Sequence, residues 1–151
     1  MRALLLCAVV LLPPMAMARD VGERVECVGG TVAQVEQAPK GRLVTVNERY
    51  LIYQSKKAHY LIPWDDINLL EYGQKVGRRV AMAVILSPMF ALSKSRKHFL
   101  TIGFTDEEGR QQALVFRVNK DDIRALLVSL EAKADLPVQY QDEEARKAGK
   151  G

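Results

Sequence analysis

GRLVTVNERYLIYQSKKAHYLIPWDDINLLEY, residues Gly41 to Tyr72, falls into four short apolar runs parted by polar connectors. The runs are RLVTV (Arg42–Val46), YLIYQ (Tyr50–Gln54), HYLIP (His59–Pro63) and DINLLEY (Asp66–Tyr72). β-Branched, aliphatic and aromatic residues dominate them, a composition that fits pleated, half-buried strands. Pro39-Lys40-Gly41, just upstream, reads as a turn, since proline presets φ and glycine tolerates positive φ.

The same pattern extends both ways. Upstream, VECVGGTVAQVEQ (Val25–Gln37) places β-branched residues at two-residue spacing around Gly29-Gly30, a pair suited to a bend or bulge. Downstream, HFLTIGFT (His98–Thr105) and QQALVFRV (Gln111–Val118) flank a DEEG turn at Asp106–Gly109. The total is about seven strands at the spacing of an all-β sandwich or barrel. The period then changes. Ile123, Leu126, Leu127, Leu130 and Ala134 recur at helical spacing and mark one face of an amphipathic helix over Asp121–Ala134. Asn119 is placed to cap it, Asp121 and Asp122 suit the first turn, and Pro137 stops it. The tail Gln141–Gly151 is polar and mixed in charge, which predicts a frayed or flexible end.

The first 18 residues read as a signal peptide. Arg2 supplies a positive start, Leu4–Leu12 an apolar stretch, and Ala16-Met17-Ala18 the small-x-small pattern for cleavage after Ala18. That apolar stretch is short of the roughly 20 residues a spanning helix needs. The expected location is therefore periplasmic or secreted, and the expected domain covers residues 19–140, with an insert at 78–97 and the tail at 141–151. The 151-residue chain has a formal charge of +4, which loss of Arg2 lowers to +3. So small an excess does not point to nucleic acid, and export argues against it. Without Cys7 of the leader, Cys27 is left as a single thiol, so no internal disulfide is expected and the fold must rest on its apolar core.

Seven antiparallel strands followed by one amphipathic helix resemble the pleckstrin-homology-like (PH-like) superfold. The Gly41–Tyr72 segment is similar to the core of GRAM and bacterial PH-type domains. The resemblance rests on Gly41-Arg42-Leu43, on the aromatic-aliphatic Tyr50–Tyr53, on the basic turn Lys56-Lys57, and on Ile62-Pro63-Trp64-Asp65-Asp66-Ile67. It implies a bent antiparallel sheet or partly open barrel whose open end the helix plugs.

Residues for catalysis are sparse. A nucleophilic triad needs a histidine beside a serine or cysteine and an orienting acid. His59 and His98 each sit among aromatic or aliphatic neighbours in an expected strand, and read as strand-surface residues. No H-x-x-x-H or C-x-x-C spacing suggests zinc. Asp65-Asp66, adjacent in a strand, would point to opposite faces and not converge on one substrate. Neither Gly29-Gly30 nor Gly73–Gly77 matches a phosphate-cradling fingerprint, and Trp64 reads as a core anchor. No cofactor and no enzymatic activity are expected.

One segment stands apart. GRRVAMAVILSPMFALSKSRKHFL (Gly77–Leu100) contains an uncharged run, Val80–Leu92, bracketed by Arg78, Arg79, Lys94, Arg96 and Lys97. No acid lies between Glu71 and Asp106. Its composition leans helical, with Ser87-Pro88 fitting a helix start. Three readings are open: part of the core, contact with an anionic membrane surface, or contact with an envelope protein or a second copy. Burial of Ile85, Leu86, Met89, Phe90 and Leu92 is worth about 1.5–3 kcal/mol each before ordering costs. Bases near an anionic leaflet add about 1 kcal/mol apiece. The expectation is a non-catalytic exported binding module whose contact residues are these five and the flanking bases.

Overall fold

The computed structural model describes residues 21–74 and 97–150, together with the two-residue strand at Ile85–Leu86. Its elements follow in chain order: β1 (Glu23–Gly30), α1 (Ala33–Glu36), β2 (Lys40–Val44), β3 (Tyr50–Ser55), β4 (His59–Pro63), a 3-10 turn (Trp64–Asp66), β5 (Ile67–Gly73) and β6 (Ile85–Leu86). Then come β7 (His98–Thr105), β8 (Gln111–Val118), α2 (Lys120–Ala134), β9 (Gln139–Tyr140) and α3 (Glu143–Lys150).

All the described strands join one sheet in the order β4-β3-β2-β1-β8-β7-β5-β9, with β6 added to β1. The β9 pairing to β5 is parallel and every other pairing is antiparallel. The fold is mainly β: a mixed sheet that does not close on itself, followed by a C-terminal helix. Two meanders, β1 to β4 and β5-β7-β8, meet where β1 pairs β8. Register shifts between Cys27 and Gly29 on β1 and between Ile67 and Leu69 on β5 mark irregularities of the kind that increase local twist.

β1 serves two partners along one edge. Glu23–Glu26 pair with β2, while Gly29-Gly30 pair with Ile85-Leu86. The switch follows from α1: the chain leaves the edge through that helical turn and returns at Pro39, whose carbonyl accepts from Cys27 N at 2.7 Å. Glycine is needed at Gly30, because a Cβ there would sit 2.7 Å from Leu114 Cδ2 and 2.9 Å from the Ala113 carbonyl.

One face of the sheet holds the core. Leu43, Leu51, Tyr53, Ile62, Leu70, Tyr72, Leu100, Ile102, Leu114 and Phe116 are buried there, and Ile123, Leu126, Leu127 and Leu130 of α2 close over them. Tyr53 stacks on Phe116 at 5.6 Å, and its hydroxyl donates to the Ala38 carbonyl. Trp64 is buried, with Nε1 donating to the Asn47 carbonyl at 2.9 Å. The helix ends where Asp135 turns left-handed (φ 49°), two residues before Pro137. Its N-terminal bonds run from Asp122 N and Ile123 N to the Asn119 carbonyl, and the Asn119 side chain does not cap.

Four expectations change. The stretch Val25–Gln37 is not one bent strand, because β1 ends at Gly30 and Ala33–Glu36 form α1, burying Val35. Lys40 and Gly41 belong to β2, not to a turn; Gly41 lies so close to Tyr53 that a Cβ would be 2.7 Å from its ring. Asp65 and Asp66 lie in the 3-10 turn, so strand alternation does not govern them. The tail is helical: Asp142 Oδ1 accepts from Ala145 N at 2.7 Å as an N-cap, Glu143 and Glu144 occupy the first turn, and Lys147 and Lys150 the last. Ala145 is fully buried against the core, and Arg124 Nε of α2 reaches the Ala148 carbonyl at 3.1 Å.

Candidate functional site

Most of the segment singled out in the sequence lies outside the described residues: Arg78, Arg79, Met89, Phe90, Leu92, Lys94 and Arg96. Residues 1–18 lie outside them too. For Ile85 and Leu86 the backbone is described, and it is a strand on β1 where composition leaned to helix. Pairing explains the difference: the free edge of β1 at Gly29-Gly30 offers ladder bonds that outweigh a modest intrinsic preference. Lys97 is half-buried at the entrance of β7 and is engaged in an interaction.

Both ends of the segment are fixed. Gly73 pairs directly with Phe99, so β5 and β7 are adjacent antiparallel strands joined by residues 74–97. The outer face of the sheet beside this connection carries a second apolar cluster. It consists of Val28, Phe99 and Val115 with Leu69 and Ala113. Thr101 and Glu71 are buried beside it, and Gln141 Nε2 donates to Glu71 Oε1 at 2.8 Å.

A groove that the sequence did not reveal opens on the unclosed side of the sheet. About 350 Å³ in volume, it runs between β4 and the β7–β8 turn. Tyr60, Leu61, Pro63 and Phe104 give it apolar walls, and Asp66, Asp106, Glu107 and Glu108 an acidic rim with Arg110. Tyr60 and Phe104 lie 6.1 Å apart. Asp106 is committed to the turn: its Oδ1 accepts from the Glu108 and Arg110 amides at 3.0 and 2.8 Å, and its Oδ2 from Arg110 Nε and Gln112 Nε2 at 3.0 and 2.7 Å. These donors, the Arg110 amide first, hold its carboxyl down at about 2. Glu108 pairs with Arg110 at 2.8 Å. The carboxylates of Asp66 and Glu107 make no hydrogen bond or ion pair among the described residues. Burial first, then Asp106 and Glu107, push the Tyr60 hydroxyl up. The signal for this groove is split between two stretches some forty residues apart, and only the sheet's bend brings them together.

The remaining chemistry is quiet. The Cys27 thiol is buried and burial pushes it up to about 11, which keeps it protonated and inert. The Lys56-Lys57 turn is held by Ser55 Oγ, which accepts from Ala58 N at 2.9 Å and Lys57 N at 3.2 Å, leaving both lysines exposed. His59 is exposed on β4, and His98 meets Tyr72. Among the described residues no group of three or more metal-capable side chains converges, and no helix is long and apolar enough to cross a membrane. No protein-family model matches the chain, and no curated protein matches it significantly.

Proposed function

We propose that the chain is an exported, non-catalytic binding module of the PH-like, GRAM-related kind. It makes peripheral contact with a membrane or envelope component through residues 78–97. Seven antiparallel strands in a bent sheet, followed by a helix over its open end, are the arrangement that the sequence resemblance implies, and the observed order of elements supports it.

The observation that carries the function is the direct pairing of Gly73 with Phe99. Two adjacent antiparallel strands need a connection of about 2–5 residues. Here residues 74–97 intervene, including a run of thirteen uncharged residues bracketed by bases. Among the described residues, Leu43, Tyr53, Leu100, Phe116 and the α2 leucines already form a continuous main core. So long a connection is surplus to the hairpin, and its composition of apolar centre and basic flanks suits a surface that is greasy and anionic.

The test is co-sedimentation of the protein lacking residues 1–18 with liposomes, with and without anionic lipid, alongside its mass in solution. Binding that needs anionic lipid and is lost in the Met89→Asp, Phe90→Asp double variant supports the membrane reading. A dimer lost in the same variant, with no liposome binding, transfers the segment to self-association. A double variant that fails to fold returns it to the core, since unpaired buried carboxylates cost several kcal/mol.

A further inference from the structure

We propose that the groove beside β4 binds an extended basic peptide segment of a partner protein, added as an extra strand to β4. Three observations carry this. First, β4 pairs only with β3 among the described residues, so its other edge presents unpaired backbone groups, apart from a long 3.5 Å bond from Gln34 Nε2 to the His59 carbonyl. Edge strands are ordinarily guarded by charge. The β4 sequence His59-Tyr60-Leu61-Ile62-Pro63 carries no lysine or acid, and Leu61 is 43% exposed. Proline guards only its last position.

Second, the space is concave and apolar-walled. A strand laid along β4 would set one row of alternate side chains against Tyr60 and Phe104 and the other row beside Leu61, as peptides added to sheet edges do. Third, the rim selects by charge. Asp106 and Arg110 are tied into the turn, which leaves Asp66 and Glu107 as carboxylates without partners among the described residues. They complement lysine or arginine and repel an acidic strand. This acidic patch sits on a chain of net charge +4, so it is a local feature rather than a reflection of overall composition.

The experiment uses fluorescence anisotropy with a labelled peptide of alternating lysine and valine. Its controls are the glutamate-valine counterpart and a lysine-valine peptide methylated on alternate backbone nitrogens. The lysine peptide should bind saturably, and both controls should bind at least tenfold more weakly. Leu61→Lys, which guards the edge, and Glu107→Lys, which reverses the rim, should each weaken binding about tenfold. Both residues are exposed, and unchanged melting curves would show that the fold is intact. The proposal is overturned if no binding is seen up to ~1 mM peptide. It is equally overturned if the glutamate or methylated peptide binds as well, or if neither variant weakens binding. A concentration-dependent dimer that Leu61→Lys dissolves, without peptide binding, would overturn it in favour of a second copy on this edge.

Discussion

Tyr72 and His98 meet across the β5–β7 pair: the tyrosine hydroxyl and His98 Nδ1 are 2.5 Å apart, and the rings lie parallel at 6.0 Å. Tyr72 is fully buried and also meets Tyr140 edge-on, so this contact ties the sheet to the short parallel strand β9. A neutral imidazole can accept the hydroxyl proton at Nδ1, whereas an imidazolium can only donate there, so the hydroxyl would have to turn its proton away and accept.

That geometry makes His98 a source of acid sensitivity. Burial first, then nearby Lys120, lowers its pKa from the ordinary 6.5. The unfolded chain therefore takes up the proton more readily, and stability falls as pH drops below about 6.5 toward the folded value. Melting temperatures followed from neutral to mildly acidic pH should decline more steeply for the native protein than for His98→Gln. Parallel profiles would remove His98 as the cause.

The α2 face gives a sharper contrast. Leu127 is 1% exposed, whereas its neighbour Val128 is 65% exposed. Leu127→Ala should cost about 2–5 kcal/mol in denaturant unfolding. Val128→Ala should stay within about 0.5 kcal/mol, as surface changes do. Equal effects would mean that the helix does not close the core.

At the C-terminus, the burial of Ala145 distinguishes a docked helix from a frayed end. Ala145→Asp would bury a carboxylate without a partner, and the expected loss is several kcal/mol. Arg146→Asp, on the exposed side of the same helix, should change stability far less. An Ala145→Asp variant that melts like the native protein would restore the flexible tail.

Much of the fold was legible because period and punctuation agreed. His59–Pro63, His98–Thr105 and Gln111–Val118 are strands with the bounds that alternation predicts, and α2 begins one residue before its predicted start. The misreadings share a cause. Ala33–Glu36 is a single helical turn, too short to display a 3.6-residue period within a β-branched stretch. The Glu143–Lys150 helix is polar but for its alanines, so its order depends on the Asp142 cap and on contact with α2 rather than on an apolar stripe. The groove at β4 was invisible for a different reason. Only the bend of the sheet brings Tyr60 on β4 next to Phe104 on β7, five strands away in the pairing order, and no local pattern encodes that.

The connection between β5 and β7 supplies the last prediction. If residues 75–96 are surplus to the fold, replacing them with Asn-Gly should let β5 and β7 close as a simple hairpin, because Gly73 already faces Phe99. The shortened protein should unfold cooperatively, with Leu127→Ala still strongly destabilising in it. Its melting temperature should fall somewhat, since the β1–β6 pairing at Gly29-Gly30 is lost and Val28, Phe99 and Val115 lie on the face beside the connection. Binding to anionic liposomes should vanish, while the lysine-valine peptide should bind as before, because Leu61 and Glu107 are untouched. Retained liposome binding would place the lipid contact elsewhere, with the exposed Lys56-Lys57 turn the next site to test. A chain that no longer folds would show that the apolar run is the second half of the core, covering the outer cluster.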